Sequence, residues 1–168
     1  MQHGLKGRQS GAAGRVKTSG SVSELESHLG YWLRFVSNHV SAQFAALVEA
    51  QGVSVSEWVA LRHLFGQDES SAAQLMAALG MTKGAISKVL TRLEEKGLVA
   101  RLAAGTDKRA QAIRLTKSGR ALVPVLAALA DQNDAAFFGH LLPAQREQLF
   151  AMMQEVVRRS QLKEIPVS

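Results

Sequence analysis

Residues 72–96 read AAQLMAALGMTKGAISKVLTRLEEK. Two amphipathic segments flank a joint of only Gly80, Met81 and Thr82, and so short a joint makes the second helix fold back across the first, as in a helix-turn-helix. Leu75 and Leu79 face inward from one helix, and Gly80 permits the turn. Thr82 caps the next helix, whose buried stripe is Ile86, Val89, Leu90 and Leu93. The opposite face carries Lys83, Gly84, Ser87, Lys88, Thr91 and Arg92, all small or basic. The two acids, Glu94 and Glu95, come at the far end. That polarity suits a helix whose N-terminal half enters a DNA major groove.

Directly afterwards, residues 98–115 read LVARLAAGTDKRAQAIRL. The apolar runs LVARL and AQAIRL predict a strand pair, and AAGTDKR closes it. An Asn-Gly pair would suffice for a turn, yet this tip carries Asp107, Lys108 and Arg109. A charged hairpin immediately after a recognition helix is a wing. Its tip reaches the neighbouring minor groove, where negative potential attracts an arginine. Arg109 is the candidate for insertion and Lys108 for a phosphate contact. Asp107 either holds Arg109, Arg92 or the turn amides in place, or serves only as a turn former.

Charge distribution agrees. Residues 82–120 hold ten bases against three acids, +7, between mildly acidic flanks. Clustered positive charge is the footprint of polyanion binding, although a charge run alone also fits a solvated surface. There is no cysteine, which excludes disulfides, thiolate zinc sites and thiol redox sensing. No apolar run approaches the ~18 residues of a membrane span. The basic N-terminus lacks the apolar segment of a secretory signal. A cytoplasmic protein without membrane association is expected.

Helical periodicity fills most of the rest. Ser23 with Glu26 predicts a capping box opening a first helix near Val22. Leu25, Leu29, Trp32, Leu33, Val36, Val40, Phe44 and Leu47 carry it for about seven turns to Gly52. Ser56 is expected to cap a second helix ending at Gly66, and Ser70 or Ser71 a third ending at Gly80. The fourth, the recognition helix, ends at Gly97. Thr116 opens a fifth through about Phe138, with a bend expected at Pro124. Pro143 starts a sixth, running to about Ser160. Residues 1–21 read as a flexible basic tail and 161–168 as a C-terminal tail. In the former, GAAGRVKT imitates a phosphate-binding loop, but Val16 stands where glycine is required and no strand precedes it.

The segments MTKGAISKVLTRLEEKGLVAR and GTDKRAQAIRLTKSGRAL, with an Asp-x-Arg wing at Asp107 and Arg109 and the LTKSG start of the fifth helix, resemble the MarR family of bacterial transcriptional regulators. The resemblance covers about residues 22–160. It implies a mainly α fold with a small β-hairpin wing: a winged helix-turn-helix over about 54–116, and dimerisation helices over about 22–51 and 117–160. It also implies a homodimer on pseudo-palindromic double-stranded operators, usually as a repressor, with the first, fifth and sixth helices at the dimer interface. Two positions depart from the family pattern: Met76, where alanine commonly packs on the recognition helix, and Leu142, where a Ser or Thr cap is usual.

The residues themselves also favour a dimer. The first helix's apolar stripe is longer than a compact winged domain covers, and the fifth is nearly apolar from Ala121 to Ala130. The sixth adds Leu149, Met152, Met153, Val156 and Val157. A two-fold pair would set the recognition helices roughly 34 Å apart, one DNA turn. The alternative is a helical cap within one chain.

For an enzyme, the chain lacks H-E-x-x-H, G-x-S-x-G and paired carboxylates on one helix face. The histidines are His3, His28, His39, His63 and His140. Only His39 and His63 could meet, which is too few ligands for a metal sensor. No cofactor is expected. The remaining alternative is a winged-helix protein-interaction module without DNA binding. With thiol switching excluded, the resemblance points to a small-molecule signal bound where the dimer helices meet the DNA-binding lobe. Trp32, Phe35 and His39 on the first helix, and Trp58, Arg62 and His63 on the second, offer aromatic walls and cations suited to an aromatic carboxylate or phenolate. The tryptophans serve equally well as core.

Overall fold

The computed structural model describes residues 22–103 and 111–162. A 3-10 turn, Leu25–Ser27, precedes α1 (Leu29–Glu49) and α2 (Val55–Phe65). Then follow β1 (Ser70–Ser71), α3 (Ala72–Leu79), α4 (Lys83–Glu95), β2 (Val99–Ala103), β3 (Gln111–Leu115), α5 (Lys117–Phe138) and α6 (Pro143–Arg159).

Local chemistry explains most helix ends. Ser71 and Gln74 form a reciprocal capping box on α3, with Ser71 N–H to Gln74 Oε1 at 2.7 Å and Gln74 N–H to Ser71 Oγ at 3.2 Å. Gly80 follows at φ 61°, a left-handed cap that glycine adopts without strain. Thr82 Oγ1 accepts the Ala85 N–H at the start of α4. At its end, Leu98 N–H reaches Leu93 O at 2.9 Å and Gly97 N–H reaches Glu94 O at 2.9 Å, a Schellman closure with Gly97 at φ 66°.

Two starts differ from expectation. α1 begins at Leu29, not near Val22, and Ser23 with Glu26 forms no box. The 3-10 turn bonds locally instead, Ser27 Oγ donating to Glu24 O, and His28 leaves it in an extended conformation. The Trp32 indole donates to Glu26 O at 2.9 Å and ties the turn to α1. Ser54, not Ser56, caps α2, in a capping box with Glu57. Ser56 lies inside the helix, its hydroxyl 3.0 Å from that of Ser54. At Leu142 half a box survives: its N–H donates to Gln145 Oε1 at 2.9 Å, although leucine offers no acceptor in return. α5 runs continuously past Pro124.

Among the described residues the sheet has three antiparallel strands in the order β1-β3-β2, one more than the expected hairpin. Ser70 and Ser71 pair with Ile113 and Ala112, while β2 pairs with β3 from Val99↔Leu115 to Ala103↔Gln111. One core joins the sheet to the helices through Leu61, Leu64, Leu75, Ile86, Leu93, Ile113, Val123 and Leu126, all buried. Met76 packs against that core. α5 leaves the sheet in close contact with it: a Cβ at Gly119 would stand 2.0 Å from the Leu98 carbonyl oxygen. Along α1 and α5, buried Asn133 donates its side-chain amide to Val40 O at 3.2 Å.

Candidate nucleic-acid interface

The amphipathic division of α4 holds in three dimensions. Ile86, Val89, Leu90 and Leu93 are buried. Thr82, Lys83, Gly84, Ser87, Lys88, Thr91 and Arg92 are all exposed. A Cβ at Gly84 would have nothing within 4 Å, so this glycine is not demanded by packing inside the chain. With no acid in the first turn, the free N–H groups and partial positive charge of the helix start face solvent beside Lys83. The face is therefore cationic and supplied with hydroxyl donors, a surface suited to phosphate and base edges.

Among the described residues two ion pairs hold this helix in its setting. Arg101 on β2 meets Glu94 at 3.0 Å and donates to Thr91 Oγ1 at 3.4 Å. One wing strand is thus fastened to the recognition helix, and one of its two terminal acids is neutralised. At the helix end, Lys96 Nζ lies 2.7 Å from Glu57 Oε2 on α2. Sequence reasoning missed Arg101; its signal was its register two residues after buried Val99, at the height where α4 still lies over the sheet. The wing-tip candidates Asp107, Lys108 and Arg109 lie outside the described residues.

Comparison with known proteins is decisive. Residues 51–110 match the family model described as MarR family. The HTH-type transcriptional repressor Rv2887 of Mycobacterium tuberculosis is 30% identical over 131 residues, spanning 78% of this chain and 94% of the relative. The chain belongs to the MarR family. Among solved folds it resembles the S. aureus MepR–DNA complex, with a TM-score of 0.69 at 24% identity, covering 79% of this chain and 98% of that one. It also resembles BpsR of Bordetella bronchiseptica, described as regulated in its DNA binding by 6-hydroxynicotinic acid. There the TM-score is 0.69 at 24% identity, over 80% of this chain and 96% of that one. The winged-helix fold expected of a MarR regulator is therefore present.

The six effector candidates in this MarR chain fall into two groups. Trp32, Phe35 and His39 form an exposed ladder on α1: the Phe35 and His39 rings are 4.5 Å apart, and the Trp32 and Phe35 rings 6.2 Å. His39 Nδ1 also lies 2.7 Å from Phe35 O. Trp58 is half-buried and meets Phe44 edge-to-face at 6.4 Å, packed against the core. Arg62 is exposed and His63 half-buried. Among the described residues no hydrogen bond or ring contact joins the two groups, His39 with His63 included. Nor do the described residues contain a cluster of three or more His, Cys, Asp or Glu able to hold a metal. None of their helices is long and apolar enough to cross a membrane.

Proposed function

We propose that this protein is a homodimeric repressor, acting in the bacterial cytoplasm on the nucleoid, that binds pseudo-palindromic double-stranded operators and is released by a small aromatic acid or phenol. The observation that carries the DNA reading is the outer face of α4, exposed and free of acid from Thr82 to Arg92 over a fully buried inner stripe. Thr82, Lys83, Gly84, Ser87, Lys88, Thr91 and Arg92 would enter the major groove, with Asp107, Lys108 and Arg109 at the wing. An interaction module without DNA binding would not need that one-sided charge.

The dimer reading, with the winged helix-turn-helix and the end helices as separate working parts, is supported by uncovered apolar surface at both chain ends. Leu29, Trp32, Leu33, Phe35 and Val36 on α1 are exposed, as are Phe150, Met152, Met153, Val156 and Val157 on α6. So large an apolar surface on one chain marks an interaction site. The effector reading rests on the α1 aromatic ladder, beside which a partner chain could complete a pocket. BpsR supports an aromatic acid by analogy of fold.

Titrating labelled duplex DNA at rising salt tests the central claim. Each phosphate contact adds about 0.9 to the log–log slope. Affinity that stays flat from low to physiological salt rejects the DNA reading.

A further inference from the structure

A cleft of about 620 Å³ opens where the sheet meets the start of α5. Arg114, Lys117 and Arg120 line it, with Asp68 the one carboxylate among the described lining residues. The cations come from two elements and are set in place by contacts unrelated to the recognition face. Arg114 stands opposite Ala100 in the β2–β3 ladder, on the sheet face away from buried Val99 and Ile113, and the small alanine leaves room beside it. Arg120 lies over the Phe65 ring at 5.6 Å. Lys117 opens a helix whose start is held firmly: Thr116 Oγ1 donates to Gly97 O at 2.7 Å, Thr116 N–H to Leu98 O at 3.0 Å, and Gly119 packs against that same carbonyl. Among the described residues none of the three cations has an ion-pair partner.

We propose that this cleft is a binding site for a small polyanion, a di- or tricarboxylate or a phosphate ester, separate from both the recognition face and the aromatic ladder. Its volume falls in the range of small-molecule sites. Three cations lining one cleft favour an anion carrying two or more charges. Asp68 at the same rim disfavours a continuous phosphodiester track, which makes a compact ligand the better occupant. Since Arg114 belongs to β3, the bound anion holds a wing strand against α5.

Calorimetric titration of the full chain with citrate and, separately, pyrophosphate tests this, with ionic strength held constant by sodium chloride. The two probes distinguish a carboxylate from a phosphate ligand. Saturable binding of one of them, one per chain, is expected. The double variant Arg114→Gln/Lys117→Gln should weaken it by about tenfold or more. Asp68→Asn, which removes the opposing charge, should tighten it about threefold. All three side chains are exposed, and thermal melts check that each variant folds. Heats that never saturate with either probe, or saturable binding that both variants leave unchanged, overturn the proposal. A drop in the DNA salt slope on Arg114→Gln/Lys117→Gln, without binding of either probe, also overturns it and makes the cleft a backbone contact. The site is read without DNA, so its failure and that of operator binding are distinguishable.

Discussion

Glu57 and Lys96, 39 positions apart in sequence, meet at 2.7 Å between α2 and the end of α4. The carboxylate is 1% exposed and the lysine side chain 38%. The same oxygen, Oε2, accepts the Ser54 N–H at 2.7 Å, so one side chain both caps α2 and anchors the recognition helix. Glu57 Oε1 has no hydrogen-bond partner among the described residues, which makes the carboxylate dependent on Lys96.

Lys96→Met should therefore cost about 2–3 kcal/mol, below the figure for a fully buried pair because the lysine is partly solvated. Glu57→Gln keeps an acceptor for Ser54 and discharges the site, so it should cost only about 1 kcal/mol. In the double variant the two losses should not add. Urea denaturation gives all three values. Additive losses would mean that the two charges do not depend on each other.

For DNA contacts, Arg109→Ala should lose roughly 1–3 kcal/mol of operator affinity, and Lys88→Ala should lower the salt slope by about 1. Lys83→Ala and Ser87→Ala should weaken binding too. Fluorescence anisotropy with a selected operator measures each. Parent-like binding by Arg109→Ala would remove the wing from the interface.

Gly84→Ala should separate stability from function. Nothing in the chain opposes a methyl group there, and alanine is the better helix former, so the melt should rise by the equivalent of about 0.5 kcal/mol. The same methyl protrudes from the DNA face and should cost about 1 kcal/mol or more of operator binding. If affinity is unchanged, α4 does not approach DNA closely at this turn.

Leu33→Glu and Val156→Glu place charges on exposed apolar surface and should leave each chain folded while breaking the proposed dimer. Light scattering should show monomers, with operator affinity down about a hundredfold or more once the two half-sites are no longer linked. Dimers that persist in both variants would move the interface elsewhere.

Salicylate-like compounds should change tryptophan fluorescence through Trp32 and weaken operator binding, provided they bind the DNA-incompetent form more tightly. Operator affinity that does not respond at millimolar levels across phenols and aromatic acids would eliminate this effector class and leave DNA binding standing.

Much of this architecture was legible because periodicity and caps coincided. Leu75, Leu79, Ile86, Val89, Leu90 and Leu93 each bury or pack as their spacing requires, and Gly80, Thr82 and Gly97 end or begin helices through their own backbone chemistry. Failures came where two signals competed. Ser54 and Ser56 both stand at the start of α2, and only Ser54 has glutamate three residues on, as a capping box requires. Ser23 with Glu26 had the box spacing, but local bonding at Ser27 favoured a 3-10 turn. β1 is two serines with no apolar alternation, detectable only through its pairing with β3. Arg101 reads as one more surface cation until register sets it beside Glu94 and Thr91. The two groups of effector candidates share no hydrogen bond or ring contact among the described residues, since helical spacing says which residues lie on a face and nothing about which faces meet.

The bond from Asn133 to the Val40 carbonyl works as a detent between the two long helices. A shift of α1 along α5 by half a helical turn, about 2.7 Å, would carry that carbonyl out of reach. It would strand a buried amide whose Oδ1 already lacks a partner among the described residues. Sliding is thereby penalised, and rocking about the Asn133 contact is not. A movement of α1 on α5 that keeps this bond is therefore a change of tilt, with the register of the two helices preserved.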